Sequence, residues 1–314
     1  MQKSTSVATA AGVAVGALSA LQSRANGELS HQLGNGLEAA LWSFGSGLAI
    51  LIVIAASRPS IRQGIGRVFS AVRQGALPWW YVPAGMLGGY FVAAQSITVP
   101  SIGVAVFLIA VVAGQSGNSL IVDRIGLGPA GRQSITGRRV LSAVLAIIAV
   151  AIAVSGRMIG GDIGIVPLAL ALLAGIGLAI QQALNGRIGI AAGHPMSATV
   201  LNFLFGSIVL LISLVVAVGL AGWPLAALFS APWWAYTGGV IGIAFIAISV
   251  WTVPIVGVLR FALLSIAGQL TGAMLLDVFA PTDGTVVSWN LLAGVSLAFV
   301  AVAVSAVRRG ARRI

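Results

Sequence analysis

The sequence lacks cysteine and is poor in charge. It has no Cys, two His and six acidic residues in 314 positions. The absence of Cys excludes disulfides, thiolate metal sites and cysteine nucleophiles. Charged residues make up 7% of the chain, whereas a soluble domain carries about 25%. A soluble enzyme and a disordered chain are therefore both excluded.

Hydrophobic residues make up 59% of the chain, and its mean hydropathy is +1.06. A helical span needs about 20 apolar residues to cross about 30 Å of hydrocarbon, so the chain has room for ten spans with short connections. The sequence predicts an all-α polytopic membrane protein. We place its spans at 7–25, 39–57, 80–98, 101–122, 140–156, 164–183, 197–220, 233–251, 254–276 and 288–307. Pro100 and Pro254 are expected to mark tight turns after the third span of each half.

The chain contains an internal repeat. Residues 78–123 align without gaps with residues 232–277 at a constant separation of 154. Both segments contain Pro-Trp-Trp, Thr-Val-Pro and Gly-Gln. The triplet Phe-Gly-Ser at 44–46 recurs at 205–207, a separation of 161. The connections between spans therefore differ in length while the spans correspond.

The first span of each half carries the same pair of amides. Gln22 and Asn26 correspond to Gln181 and Asn185. A signal peptide cannot recur in mid-chain, so we interpret the first apolar block as a retained span. The sequence predicts two five-helix repeats, residues 1–157 and 158–314, that form one integral membrane unit.

Five spans is an odd number, so two similar halves must cross the membrane in opposite directions. Placing the N-terminus in the cytoplasm puts most basic residues on the cytoplasmic side, as the positive-inside rule requires. These residues are Lys3, Arg58, Arg62, Arg67, Arg73, Arg124, Arg132, Arg138, Arg139, Arg187, Arg308, Arg309, Arg312 and Arg313. Arg24 and Arg157 fall on the opposite side. We therefore expect both termini in the cytoplasm.

The net charge of +11 does not indicate nucleic-acid binding. The basic residues fall between apolar blocks and not on an amphipathic face. Their expected role is to orient the chain in the membrane.

These motifs resemble those of the drug/metabolite transporter superfamily, whose members have ten spans in two inverted halves. More narrowly, the chain resembles a fused, two-repeat form of the YdcZ-like inner-membrane exporters. The resemblance covers nearly the whole chain and rests on the amide pairs, the Phe-Gly-Ser triplets and the three shared elements above. It implies transport of small metabolites or drugs across the bacterial cytoplasmic membrane. It also implies that the first four spans of each half surround the pathway, with the fifth packed outside.

Gln22, Gln115, Gln181 and Gln269 lie within predicted spans, where an amide is costly without a partner or water. By helical rise, Gln22 and Gln269 fall in the outer third of the membrane and Gln115 and Gln181 in the inner third. One hypothesis is that these two layers flank a substrate chamber. The alternative is that the amides only hold helices together, at about 0.6 kcal/mol per hydrogen bond.

Asn26 and Asn185 lie four residues after Gln22 and Gln181, on the same helix face. They suit a two-point grip on a substrate, but Asn followed by Gly more often ends a helix. Trp42 and Trp251 are further pathway candidates, with space filling between helices as the alternative.

Arg260 is the single full charge well inside a predicted span. It either binds an anionic group in the pathway or extends its guanidinium to the cytoplasmic interface. Asp123 and Asp277 are equivalent carboxylates at span ends. They are the candidates for coupling to a proton, with a plain interfacial role as the alternative.

The sequence therefore predicts a secondary transporter, expected to act as an exporter, that alternates access for a small metabolite or drug-like molecule. The alternative is a non-transporting membrane scaffold or sensor with the same fold. We expect no enzymatic activity, cofactor or metal, because no set of catalytic groups has a persuasive placement. The expected partners are the lipid bilayer, the small-molecule substrate and a proton or sodium ion. The sequence does not indicate an oligomeric state.

Overall fold

The computed structural model describes residues 2–129, 131–132, 134–159, 164–222, 230–256, 258–279 and 288–306. These residues form α-helices and two short 3₁₀ segments and contain no strand. The helices are α1 (Gln2–Leu33), α2 (Gly36–Ser57), α3 (Pro59–Arg73), α4 (Gly85–Ile102), α5 (Val104–Ile125), α6 (Gly137–Ile159), α7 (Ile165–Ala192), α8 (Pro195–Ala221), α9 (Gly238–Val256), α10 (Val258–Phe279) and α11 (Trp289–Ala306). The 3₁₀ segments, Trp79–Ala84 and Trp233–Thr237, directly precede α4 and α9. The predicted all-helical fold is confirmed.

Within the described parts of the chain, seven helical segments are long and apolar enough to cross a membrane. They are Ser6–Leu33, Gly36–Ser57, Trp79–Ile102, Val104–Ile125, Ile165–Ala192, Pro195–Leu220 and Trp233–Val256. The other three predicted spans coincide with α6, α10 and α11, whose described apolar stretches are shorter: Val140–Ala153, Leu264–Leu276 and Trp289–Ala301. Large apolar side chains such as Val53 and Val215 are well exposed on the outside of the bundle. Such an exterior suits hydrocarbon and not water.

The first helix of each half is longer than predicted. α1 and α7 continue past residues 25 and 183, to Leu33 and Ala192. Each is followed by a glycine with left-handed backbone, Gly34 (φ +64°) and Gly193 (φ +61°). Glycine adopts this conformation without the steric cost of a Cβ, so it ends a helix readily.

Asn26 and Asn185 consequently lie inside helices, and the interpretation that they end their helices is wrong. Asn35 and His194 cap the start of the following helices, because their side chains accept hydrogen bonds from the first backbone N–H groups of α2 and α8. The signal of an Asn followed by Gly was outweighed here by tertiary packing of the turns that follow, in which Leu29 and Ile188 are buried.

Pro100 and Pro254 also lie inside helices, in the last turns of α4 and α9. The expected turn after α4 occurs at Gly103 instead, whose φ is +79°. A proline near the end of a helix removes one hydrogen bond but does not force the chain to turn there.

The connection expected after the second span contains an additional helix, α3. Its buried residues are Ile61, Gly64 and Val68, so its basic residues do lie on an amphipathic helix, contrary to expectation. Arg67 donates from Nε to the carbonyl of Ala192 at 2.8 Å, and Ser197 Oγ donates to the carbonyl of Ile61 at 2.8 Å. These bonds attach α3 to the end of α7 and the start of α8.

The remaining helices pack in two corresponding sets. α1 contacts α4, α9 and α10, whereas α7 contacts α9, α4 and α5, and α6 packs mainly on α11. Gly114 of α5 touches the carbonyl of Leu172 in α7, and Gly268 of α10 touches the carbonyl of Val13 in α1. Glycine at both positions allows the two backbones to approach closely.

Candidate functional site

A narrow cavity lies between α1, α2, α4, α7, α8 and α9. Its lining residues are Gln22, Phe44, Gly88, Phe91, Val92, Leu178, Gln181, Phe203, Gly242, Phe245 and Ile246. Two of them are polar glutamines and the others are apolar or glycine. Ligand sites are commonly mainly apolar clefts with few polar groups. The described residues of α6 and α11 contribute nothing to this lining.

Ten of the lining residues form corresponding pairs from the two halves of the chain. The pairs are Gln22 with Gln181, Phe44 with Phe203, Gly88 with Gly242, Phe91 with Phe245 and Val92 with Ile246. The first two pairs are 159 residues apart and the other three are 154 apart. The two halves therefore contribute almost equally to the walls of one cavity.

Two of the four phenylalanine rings that line the cavity stack on one another. The centroids of Phe44 and Phe203 are 4.8 Å apart, with an interplanar angle of 29°. The ring of Phe44 also lies against Gly206, and that of Phe203 against Gly47. The contacts are reciprocal, so Phe44 corresponds to Phe203 and Gly47 corresponds to Gly206. Both correspondences have a separation of 159 residues. The pairing of the Phe-Gly-Ser triplets at a separation of 161 is therefore wrong.

Each cavity glutamine lies against a glycine of the other half. Gln22 Nε2 lies beside Gly242, and Gln181 Nε2 lies beside Gly88. A Cβ at either glycine would overlap the amide nitrogen. These two glycines thus make room for the amides at the cavity wall.

The amides on the α7 side form a network. Oδ1 of Asn202 accepts hydrogen bonds from Gln181 Nε2 at 2.8 Å and from Asn185 Nδ2 at 3.0 Å. On the α1 side, Gln22 Nε2 donates to the carbonyl of Gly238 at 2.9 Å. Both arrangements fix the orientation of a cavity glutamine.

Several buried polar atoms next to the cavity have no partner among the described residues. Asn26 is fully buried, and both of its amide atoms are unpaired. Ser43 Oγ is unpaired beside it, and both side chains lie against Gly238. Oδ1 of Asn185 and Nδ2 of Asn202 are unpaired on the other side. An unpaired buried polar atom costs about 1–3 kcal/mol, so these positions favour a ligand or water.

Gln115 and Gln269 are buried in helix contacts outside the cavity. Gln115 donates from Nε2 to Oε1 of Gln182 at 3.0 Å, and Nε2 of Gln269 lies 3.5 Å from Oγ of Ser19. Of the four predicted glutamines, Gln22 and Gln181 therefore line one cavity, whereas Gln115 and Gln269 do not.

The two tryptophan candidates lie elsewhere. Trp42 packs edge-on against Tyr236 at 5.3 Å, in a small apolar cluster with Leu29 and Ala235. Trp251 is 40% exposed. Neither residue belongs to the cavity lining.

Of the three charged candidates, the structure describes only the side chain of Asp123. Asp123 is buried near the end of α5 and does not line the cavity. The side chains of Asp277 and Arg260, both in α10, lie outside the description. Within the described part of the chain, no group of three or more His, Cys, Asp or Glu residues could hold a metal ion.

Sequence reasoning missed Phe203, Asn202 and Ser43. The separation of 159 that relates Gln22 to Gln181 also places Ser43 opposite Asn202. Extending that separation into the second helix of each half would have identified all three residues. The Phe-Gly-Ser match at a separation of 161 instead indicated a different alignment of the two second helices.

Comparison with known proteins identifies the family. The model of the family described as "Putative inner membrane exporter, YdcZ" matches residues 7–152 and again residues 166–304. The chain is 32% identical over 112 residues to the inner membrane protein YdcZ of Escherichia coli (strain K12), an alignment that covers 36% of this chain and 74% of that protein. A solved chain named "Crystal structure of protein" is similar with a TM-score of 0.54 at 17% identity, covering 97% of this chain and 96% of that chain, which shows the fold alone. The two matches of the family model cover most of the sequence, and the chain therefore belongs to the YdcZ family of inner membrane proteins.

Proposed function

We propose that this protein is a secondary transporter that exports a small metabolite or drug-like molecule by alternating access. The observation that carries the proposal is the paired lining of the cavity. Secondary transporters commonly bind substrate between two inverted repeats that rock against each other. A cavity with equal contributions from two halves fits this mechanism.

The helix directions support an inverted arrangement of residues 1–157 and 158–314. Along α1 and α4, Ser23 contacts Gln95 and Gly27 contacts Val99. Along α5 and α7, Gly114 contacts Leu172 and Asn118 contacts Ile176. Each pair of helices is parallel, because residue numbers rise together along both. Consecutive spans α4 and α5 cross in opposite directions, so α1 and α7 run antiparallel. This supports ten spans in two inverted five-helix repeats.

The arginine contacts support cytoplasmic termini. Arg62 donates to the carbonyl of Ala55 at the end of α2, Arg67 to Ala192 at the end of α7, and Arg187 to Leu127 just after α5. α3 connects the first two of these helix ends. Basic residues gathered at one end of the bundle fit the cytoplasmic side of the inner membrane.

A proton or sodium ion is the proposed coupling ion, with Asp123 and Asp277 as the candidate carboxylates. The double variant Asp123→Asn/Asp277→Asn is expected to make flux independent of an imposed gradient. Flux that keeps its gradient dependence in this variant would exclude the two residues.

The experiment for transport itself is flux of a metabolite and drug panel through purified protein in liposomes, with and without proton or sodium gradients. Transport predicts protein-dependent flux that Gln22→Leu/Gln181→Leu abolishes in folded protein. The matched control is Gln115→Leu/Gln269→Leu, which makes the same change outside the cavity. An absence of flux for every compound would instead favour the alternative, a membrane scaffold or sensor.

A further inference from the structure

We infer that the cavity binds a neutral, ring-containing molecule that carries both a hydrogen-bond donor and an acceptor, such as a carboxamide, and that it excludes ions. This inference names the substrate class of the proposed transporter and so rests on that proposal for its biological role. The binding itself is a property of the cavity and is measured separately from transport.

The walls favour a ring. Phe44 and Phe203 stack within the cavity, and Phe91 and Phe245 form part of its lining. Aromatic side chains pack well against other rings in offset or edge-on arrangements. The remaining walls are aliphatic or glycine, so they attract apolar surface without adding polar contacts.

Among the described residues, none of those that line the cavity is charged. The charged residues of α1 closest in sequence to Gln22 are Arg24 and Glu28, which form a 3.0 Å ion pair and so neutralise each other. The guanidinium of Arg24 also lies over the ring of Trp234, 5.4 Å from its centroid. A cation in the cavity would gain attraction from aromatic faces, but an unpaired charge loses several times more in desolvation. An anion would have the same desolvation cost and no such attraction. The cavity therefore selects uncharged molecules.

Unpaired amides one helical turn from the cavity glutamines explain the need for a donor and an acceptor together. Asn26 lies one helical turn beyond Gln22, and Asn185 lies one turn beyond Gln181. Because α1 and α7 are antiparallel, these asparagines lie beyond the two cavity glutamines in opposite directions. The whole amide of Asn26 and the Oδ1 of Asn185 lack partners among the described residues. A ligand that supplies one N–H and one C=O can pair with such groups.

Four ring compounds of similar size separate these requirements. Benzamide offers a donor and an acceptor, benzamidinium only donors, benzoate only acceptors, and toluene neither. Binding of each to the full-length protein in lipid nanodiscs would be measured by titration calorimetry, with empty nanodiscs subtracted. We expect benzamide to bind about tenfold more tightly than the other three. Equal or tighter binding of benzamidinium, benzoate or toluene would overturn the inference.

Variants locate the binding. Gln22→Leu and Gln181→Leu are each expected to weaken benzamide binding about tenfold and to leave toluene binding unchanged. Gln269→Leu, the same substitution outside the cavity, should change neither. If benzamide binds equally to all three variants, it does not occupy this cavity and the inference fails. Should a cavity variant not fold, the four-compound series on the unaltered protein still decides.

Flux and binding can fail independently. Benzamide binding as expected, with no flux for any compound, would overturn the transport proposal and support the inference. Flux of other cargo with no benzamide binding would support transport and overturn the inference.

Discussion

Phe44 and Phe203, which are 159 residues apart, stack at 4.8 Å in the centre of the protein. Each ring also lies on a glycine of the opposite helix, since Phe44 contacts Gly206 and Phe203 contacts Gly47. The stack thus sets the distance between α2 and α8 at the cavity. Any side chain at either glycine must displace a ring.

The first prediction concerns those glycines. Gly47→Ala and Gly206→Ala are each expected to lower the free energy of unfolding by about 1–3 kcal/mol, because the added methyl group overpacks the site. The measurement is the unfolding midpoint of the purified protein in detergent. Gly45→Ala is the control on the same helix, since its methyl group would meet no atom within 4 Å. If Gly47→Ala and Gly45→Ala had equal stability, the stack would not control the helix spacing.

The second prediction concerns the glutamine outside the cavity on α5. Gln115→Leu removes the hydrogen bond to Gln182 and is expected to reduce the stability by about 0.6 kcal/mol, the typical value of an interhelical hydrogen bond in membranes. Transport per folded molecule should stay unchanged, because Gln115 does not line the cavity. Stability and liposome flux would be measured on the same preparations. Loss of flux with unchanged stability would contradict this prediction and show that Gln115 takes part in transport.

The third prediction concerns the attachment of α3. Arg67 donates two hydrogen bonds to the carbonyl of Ala192, at the C-terminal end of α7, where a cation is favourable. Arg67→Ala should cost about 1–2 kcal/mol and speed proteolysis of the segment 58–77, as followed by mass spectrometry. Arg67→Lys should restore part of the loss. The exposed Arg73, on the same helix, provides the control as Arg73→Ala. Equal cleavage rates in the Arg67 and Arg73 variants would contradict this attachment.

Much of the architecture could be predicted from the sequence. Composition requires a lipid solvent, and the gapless alignment of residues 78–123 with 232–277 relates the glycines and aromatics that later meet around the cavity. The pairing of Gln22 with Gln181 followed from the same repeat. These features depend on hydropathy and on repetition, which are properties of the sequence itself.

Other features depend on contacts between distant residues. α3 alternates basic and apolar residues, so no long apolar run marks it, and its buried face is defined only by the ends of α7 and α8. Asn26 is followed by Gly, a local signal for a helix end, yet the packing of α1 against α9 keeps it helical. The short triplet match at 161 favoured the wrong register, because ring packing on Gly47 and Gly206 is visible only in three dimensions.

The last prediction concerns the direction of the chain in the membrane. The protein has no Cys, so a single introduced thiol reports one position. Gln74 follows α3 and Gln32 lies in the last turns of α1, and both are exposed. With the N-terminus in the cytoplasm, α1 ends outside and α2 returns inside. An impermeant maleimide should therefore label Gln32→Cys in intact cells and label Gln74→Cys only after permeabilisation. The reverse pattern would place the termini outside, and labelling of both variants in intact cells would show that α2 does not cross the membrane.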